Sequence, residues 1–252
     1  MYKGKKTYFY NGEELWDDEN NGEYLIYSEE EQKSWEVVIV LPGVEVIPED
    51  TFDDCENLET VIMSDTVIRI EDCAFAACEN LSFVRLSRNL EYIGRNAFYY
   101  CTSLASIFIP PSCREIARVA FADCHKLIIL RVPRQTQLGR NVIENTALIK
   151  ASPFEVDEWG SYDGITESVN EWIRNINRDD DQFAFHRVCS SFNPLSEIIY
   201  QIVKRQGFIS FKKKNELGIT PLEYLEANPF AEHIDQSSLV KRYVLEMMGE
   251  AV

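Results

Sequence analysis

The chain repeats one pattern four times at an unvarying step of 23 residues. The copies read TFDDCENLETVIM, AFAACENLSFVRL, AFYYCTSLASIFI and AFADCHKLIILRV, starting at residues 51, 74, 97 and 120. A fixed step of this length with apolar residues in register is typical of a solenoid, in which each coil buries its inner face against its neighbours. Four residue columns follow this step: Ile47, Ile70, Ile93, Ile116; Phe52, Phe75, Phe98, Phe121; Cys55, Cys78, Cys101, Cys124; and Leu58, Leu81, Leu104, Leu127.

The motif that spans residues 97–110, Ala-Phe-x-x-Cys-x-x-Leu-x-x-Ile-x-Ile-Pro, resembles the BspA-like (Treponema-type) leucine-rich repeat. The resemblance covers about half of the chain, residues 35–152. It implies an α/β fold, namely a right-handed leucine-rich-repeat solenoid with a parallel sheet along its concave side. It also implies a role in protein–protein or cell-surface contacts.

Residues on either side of the repeats have other compositions. Residues 1–34 are predicted to form an N-terminal cap that includes a hairpin around Asn11-Gly12, because Asn-Gly favours the tight turn of two-residue hairpins. Residues 137–151 are predicted to form a degenerate last coil in which Val142 takes the place of phenylalanine. Residues 153–165, which contain one proline and two glycines among several acids, are predicted to be a linker.

The remaining segment, residues 166–252, is predicted to be helical. Val169, Trp172 and Ile173 follow helical spacing behind Ser168, which suits a capping box. Further helices are predicted over residues 183–190, from Asn193, from Pro221 and from about Ser237. The stretches Phe185-His186-Arg187-Val188-Cys189 and Gly218-Ile219-Thr220-Pro221-Leu222 resemble parts of ankyrin repeats, which implies an ankyrin-like all-α domain.

Charge and cysteine content restrict the class of partner and the compartment. The formal net charge is −17, and no basic face accompanies it, so nucleic acid is not an expected partner. No apolar stretch is long enough for a bilayer span and no secretory signal is seen, so membrane association is not expected. Seven cysteines, an odd number, favour reduced thiols in the cytoplasm or the nucleus.

We find no pattern in the sequence that predicts catalysis. Phosphate-binding glycine loops, zinc signatures and nucleophile motifs are missing, and only three histidines occur: His125, His186 and His233. The column cysteines lie inside the apolar repeat and are interpreted as buried thiols rather than metal ligands. We therefore predict no catalytic residue, no metal, no cofactor and no small-molecule substrate.

The predicted working surface is the outward side of the strands near residues 37–40, 60–63, 83–86, 106–109 and 129–132, called the concave face below. Aliphatic, aromatic and arginine side chains on one rigid face match the makeup of interface hot spots. The prediction is a non-catalytic scaffold or adaptor that binds a protein; a surface adhesion protein and an enzyme with an unrecognised site are the alternatives. Whether the face is open, or covered by the C-terminal helices or by the linker with Phe154 and Trp159, stays open. The predicted binding residues are Ile39, Ile62, Phe83, Arg85, Phe108, Ile129 and Arg131.

Overall fold

The computed structural model describes residues 7–12, 15–17, 34–158, 160–176, 214–215 and 217–228. The chain divides into two compact units, Met1–Asn175 and Ile176–Val252. The division differs from the predicted domain boundary at residue 165, because the helix after that residue belongs to the repeat unit. The helices predicted over residues 183–190, from Asn193 and from Ser237 lie outside the described residues.

The repeat unit consists of short strands joined by turns, two strands for most coils. In chain order the strands are β1 (Thr7–Tyr10), β2 (Leu15–Asp17), β3 (Val37–Val40), β4 (Val46–Ile47), β5 (Thr60–Met63), β6 (Arg69–Ile70), β7 (Phe83–Arg85), β8 (Tyr92–Ile93), β9 (Ser106–Phe108), β10 (Glu115–Ile116), β11 (Ile129–Arg131) and β12 (Gln137–Leu138). The longer strands form a sheet in the order β2-β1-β3-β5-β7, while β9 and β11 pair separately. The second strands of the coils form the sheet β12-β10-β8-β6-β4.

The predicted hairpin at the N-terminus is confirmed, and it does more than cover the first coil. Strand β2 pairs with β1 in antiparallel fashion, whereas β1 pairs with β3 in parallel, with Phe9 opposite Ile39. Tyr8 and Tyr10 point inward and are buried. The hairpin therefore supplies one more rung to the sheet of long strands, so the backbone of the first repeat strand has a partner on this side.

The four predicted columns are confirmed as the core of the solenoid. All isoleucines, phenylalanines and leucines of the columns are 0% exposed, and the cysteines are at most 2% exposed. The phenylalanine rings stack in parallel, with centroid distances of 5.0, 5.2 and 5.4 Å and interplanar angles of 5–12°. Each ring thus lies about one strand spacing from the next.

Coils are joined in part by side-chain hydrogen bonds that run from one coil back to the preceding one. Three column thiols donate to the carbonyl of a phenylalanine in the preceding coil, and one of these bonds joins Cys78 Sγ to Phe52 O at 3.0 Å. Exposed amides do the same at the turns, where Asn80 Nδ2 donates to Glu56 O at 2.8 Å. These bonds satisfy carbonyls that the short strands leave unpaired.

Two positions in each coil have left-handed backbone, with φ between 51 and 59°. Asparagine and aspartate tolerate this region, whereas β-branched and aromatic residues are strained in it. One column therefore contains an unfavourable valine and the other an unfavourable tyrosine. The columns are Asp50, Cys73, Asn96, Val119, Asn141 and Asp54, Ala77, Tyr100, Asp123, Asn145.

The last coil is one residue shorter than the others, and its predicted alignment was wrong by one position. Phe121 N donates to Val142 O, as Phe98 N donates to Ala120 O in the preceding coil. Val142 therefore corresponds to Ala120, and Ile143 replaces the phenylalanine. Thr146 then occupies the cysteine position, where it accepts from Ile149 N as the N-cap of helix α1 (Ala147–Lys150). The sequence pattern placed Val142 in the phenylalanine column, whereas the backbone hydrogen bonds place Ile143 there.

The segment after α1 packs onto this last coil. Asn141 Nδ2 donates to Ser161 Oγ and Asp163 Oδ1, and Tyr162 OH accepts from Ile143 N at 3.1 Å. Gly160, with φ of +77°, brings this segment against the backbone of Asn145. Residues 153–165, predicted to be a linker, thus include a docked segment that closes the open end of the coils.

Helix α2 (Thr166–Asn175) follows a 3-10 turn at Asp163–Ile165 and belongs to the same closure. Its Asn170 Nδ2 donates to the carbonyls of Leu138 and Gly139 in the last coil. The helix starts before the predicted cap at Ser168, because the 3-10 turn leads directly into it. In the second unit, α3 (Pro221–Ala227) is confirmed, and Thr220 and Glu223 form a reciprocal capping box.

We predict that Val119→Asn stabilises the protein. Asparagine already occupies the same left-handed position at Asn96 and Asn141. Relief of the valine strain should raise the free energy of unfolding by about 1 kcal/mol and the melting temperature by about 2–4 °C. Thermal unfolding followed by circular dichroism measures the change. Val119→Thr, which keeps the β-branch, is the control, and equal melting temperatures for the two variants would contradict the prediction.

Gly160→Ala should have the opposite effect. A Cβ at this position would lie 2.7 Å from Asn145 N, and φ is positive, so both contact and backbone conformation are unfavourable. We expect the free energy of unfolding, measured by urea denaturation, to fall by about 1–3 kcal/mol. Gly164→Ala is the matched control, because no heavy atom lies within 4 Å of a Cβ built there. Similar losses for both variants would refute a specific role for Gly160.

Candidate protein-binding face

Strand register brings most of the predicted binding residues into two rows. Parallel pairing places Ile39 opposite Ile62 and Ile62 opposite Arg85; the neighbouring row runs through Val37, Thr60 and Phe83. In the separate pair of strands, Ser106 lies opposite Ile129 and Phe108 opposite Arg131. The regular ladder stops between β7 and β9, so the single sheet that we predicted is two pieces.

Exposure along these rows is uneven. Ile39, Ile62 and Phe83 are half-buried, which leaves part of each apolar side chain accessible. Phe108 is 1% exposed and Ile129 is 8% exposed. Including these two among accessible binding residues was wrong, because strand alternation predicts which side of the backbone a side chain leaves and not how deeply it is enclosed.

The two arginines of the face are not equivalent. Arg85 Nη1 donates to Met63 O at 2.7 Å, and Nη2 lies 3.8 Å from Asp65 Oδ1. Only 13% of the Arg85 side chain is exposed, so its guanidinium ties one coil to the preceding one. Arg131 is half-buried, and its carbonyl accepts from Ile109 N. Arg85 therefore has a structural role in joining two coils. A binding role for either arginine stays a prediction.

The sequence interpretation missed one residue of this face. Phe9 of β1 pairs with Ile39, and its side chain is half-buried between the inward Tyr8 and Tyr10. The apolar row therefore begins one strand earlier, as Phe9, Ile39 and Ile62. Alternation in Thr7-Tyr8-Phe9-Tyr10 carried the signal, but only the parallel pairing of β1 with β3 shows that this strand continues the face.

The linker does not bring both predicted aromatic residues onto this face. Phe154 lies against Trp172 of α2, with ring centroids 6.0 Å apart and an interplanar angle of 87°. Trp159 lies outside the described residues. Phe154 thus serves the closure of the last coil.

The cysteines that could suggest a metal or redox site are structural. Burial raises the pKa of the Cys78 and Cys101 thiols well above the usual value, and that of Cys113 to about 12. Thiols held protonated in this way are poor nucleophiles and poor metal ligands. Within the described ranges, no group of three or more histidine, cysteine, aspartate or glutamate side chains is arranged to hold a metal ion.

This burial also weakens one sequence argument about compartment. The cysteine count predicts reducing surroundings only where thiols are free to react, and the column thiols are enclosed and hydrogen-bonded. The column cysteines therefore do not distinguish the cytoplasm from the cell surface. Among the helices that the structure describes, none has both the length and the hydrophobicity of a membrane span.

His125 and Cys124 point in different directions. Cys124 Sγ donates to Phe98 O at 3.0 Å inside the core. The His125 side chain is 43% exposed and its Nε2 lies 3.2 Å from Asn145 Nδ2. The two side chains therefore do not form a nucleophile and base pair. His186 and His233 lie outside the described residues.

Comparison with known proteins supports the repeat architecture. Residues 34–158 match the family model described as BspA type leucine rich repeat region, in six copies. No curated protein matches this chain. The ankyrin-like resemblance of the C-terminal segment has no support in these comparisons.

Solved structures of bacterial leucine-rich-repeat proteins are similar to this chain. They include the leucine rich repeat protein of T. pallidum, at 27% identity over 43% of this chain and 54% of that chain, with a TM-score of 0.42. A leucine rich cell surface protein of Faecalibacterium prausnitzii is 30% identical over 51% of this chain and 34% of that chain, with a TM-score of 0.42. The chain thus spans 54% and 34% of the lengths of these two proteins.

The difference in burial between two outward residues gives a direct test. Phe108→Glu places a charge at a position that is 1% exposed, and we expect it to lower the free energy of unfolding by about 4 kcal/mol or more. Ile39→Glu, at a half-buried position, should lower the free energy of unfolding by about 1 kcal/mol or less. Urea denaturation of both variants measures the two free energies of unfolding. Equal losses would mean that Phe108 and Ile39 are enclosed to the same degree.

Proposed function

We propose that this chain, whose residues 34–158 are repeats of the BspA leucine-rich type, is a non-catalytic protein-binding module that acts as a scaffold or adaptor. Repeats of this kind generally mediate protein interactions and are typically non-catalytic. The observation that supports the proposal best is the accessible apolar row on three successive strands, Phe9, Ile39 and Ile62, with Phe83 beside it.

The physical basis is a set of apolar side chains whose positions are fixed before binding. Each of these backbones has a strand partner on both sides, antiparallel β2 and parallel β3 for Phe9 and parallel strands for Ile39 and Ile62, so little conformational entropy is lost when a partner docks. Partly accessible aliphatic and aromatic side chains provide the apolar contact that dominates interface energetics. Arg85 lies opposite Ile62 and provides a polar group at the edge of this row, whereas Arg131 lies opposite Phe108 in the separate pair of strands.

The partner is proposed to be a protein, and the compartment to be the cytoplasm or the nucleus. The alternative is recognition at the cell surface, which the enclosed thiols tolerate equally well because none of the column thiols depends on a reducing environment for protection. Subcellular fractionation of the native protein separates the two possibilities. Recovery in the surface fraction would overturn the intracellular proposal and leave the binding proposal intact.

A charge-introduction experiment tests the binding face. Ile39→Glu with Ile62→Glu should abolish capture of the partner from native extract, and should weaken binding of the same partner, once purified, by about 100-fold or more. The control pair is Val46→Glu with Gln137→Glu, which adds the same charge at exposed positions of the other sheet. Equal binding by both pairs, with both still folded, would rule out the concave face as the docking surface.

A further inference from the structure

The third copy of the pattern carries two tyrosines that the repeat does not require. At the position of Tyr99 the other coils have aspartate, alanine or glutamate, and at the position of Tyr100 they have aspartate, alanine or asparagine. Because those coils adopt the same turn with small or acidic side chains, the aromatic rings are not needed for folding. The equivalent residues are Asp53, Ala76, Ala122, Glu144 and Asp54, Ala77, Asp123, Asn145.

Tyr100 also has an unfavourable backbone conformation. Its φ is +59°, in the left-handed region that aromatic residues rarely occupy. Hydrogen bonds fix this conformation, since Tyr100 N donates to Ala122 O and Tyr100 O accepts from Thr102 N, both at 2.9 Å. An aromatic residue retained under strain, where asparagine fits without it, indicates a role other than folding.

The two rings and a histidine form an accessible surface, called the tyrosine ridge below: Tyr99, Tyr100 and His125. Tyr99 is 38% exposed, one of two large hydrophobic side chains in the described residues with this accessibility. Its ring centroid lies 6.1 Å from that of Tyr100, which lies 5.9 Å from the ring of His125. The ridge therefore offers neighbouring aromatic groups to a ligand.

The surroundings of the ridge are mostly negative. Asp123 Oδ1 accepts from Asn145 Nδ2 and lies 3.7 Å from His125 Nε2. Burial, and then the Asp123 carboxylate, raise the pKa of the Tyr99 phenol. The pKa of Glu144 is raised by burial and then by neighbouring carboxylates, Asp123 first. Lys126 is the basic side chain next in sequence to His125. The carboxylates of Asp123 and Glu144 outnumber this one base, so the ridge favours a cationic ligand.

Arginine is the side chain that suits both the aromatic rings and the carboxylates of the ridge. Its planar guanidinium stacks on an aromatic face and at the same time donates to a carboxylate. The chain itself contains the stacked half of this arrangement, because Arg69 Cζ lies 4.1 Å from the centroid of the Tyr92 ring. We propose that the tyrosine ridge binds an arginine-bearing segment of a partner protein, at a surface separate from the concave face.

A charge-preserving double variant tests this. Fluorescein-labelled tetra-arginine peptide is titrated with the full-length chain, with tetra-lysine as the comparison peptide, and fluorescence anisotropy gives the affinities. Tyr99→Ala with Tyr100→Asn should lower the affinity for tetra-arginine about tenfold. The melting temperature should not fall, because asparagine suits the left-handed position. Val46→Ala removes the other large exposed hydrophobic side chain of the described residues and should leave the affinity unchanged.

The double variant keeps the net charge of −17, so a general attraction to an acidic chain would survive it. Equal affinity of wild type and double variant for tetra-arginine would therefore overturn the proposal. So would equally tight binding of tetra-lysine, which lacks the planar group. Binding of a neutral oligosaccharide such as maltohexaose that depends on both tyrosines, with tetra-arginine unaffected, would assign the ridge to sugars and also overturn it.

Discussion

The repeat unit depends on one constraint, that equivalent residues of successive coils lie one strand spacing apart. The stacked phenylalanine rings, 5.0–5.4 Å from centroid to centroid, show this spacing inside the core. The parallel ladders and the thiol bonds to preceding carbonyls repeat at the same spacing. Because each coil is bonded only to its neighbours, both ends need a partner. The hairpin of β1 and β2 supplies one at the first coil, and the segment around Tyr162 with helix α2 supplies the other at the last coil.

A repeat also separates residues that the fold requires from residues that it merely tolerates. Side chains that recur in every coil, such as the core leucines, are explained by packing alone. Departures from the pattern need another explanation. Asparagine and aspartate recur at left-handed positions because these two residue types tolerate that backbone conformation. Val119 and Tyr100 occupy the same positions under strain. Tyr100 has exposed aromatic neighbours that give the strain a functional interpretation.

Two surfaces of this unit are proposed to bind, and they differ in chemistry. The concave face is an apolar row held rigid by strand pairing, and outward residues of the separate strand pair, such as Phe108, are enclosed. The tyrosine ridge lies on turns, combines aromatic rings with carboxylates, and suits a cationic group. If both proposals hold, the module would bind two segments at once, as the proposed scaffold role requires.

The sequence by itself determined the solenoid, its step, its core columns and the direction of its strand side chains. A step of 23 residues and the alternation within each strand depend only on local order, so they can be read without coordinates. The start of helix α3 was also predictable, because Thr220 and Glu223 cap it locally. Tertiary structure decided the rest. Only strand pairing adds Phe9 to the concave face, only backbone bonding places Ile143 in the phenylalanine column, and only packing encloses Phe108 and Ile129. The enclosure of outward side chains and the pairing of strands outside the regular repeats depend on residues that are distant in sequence, and periodicity carries no information about them.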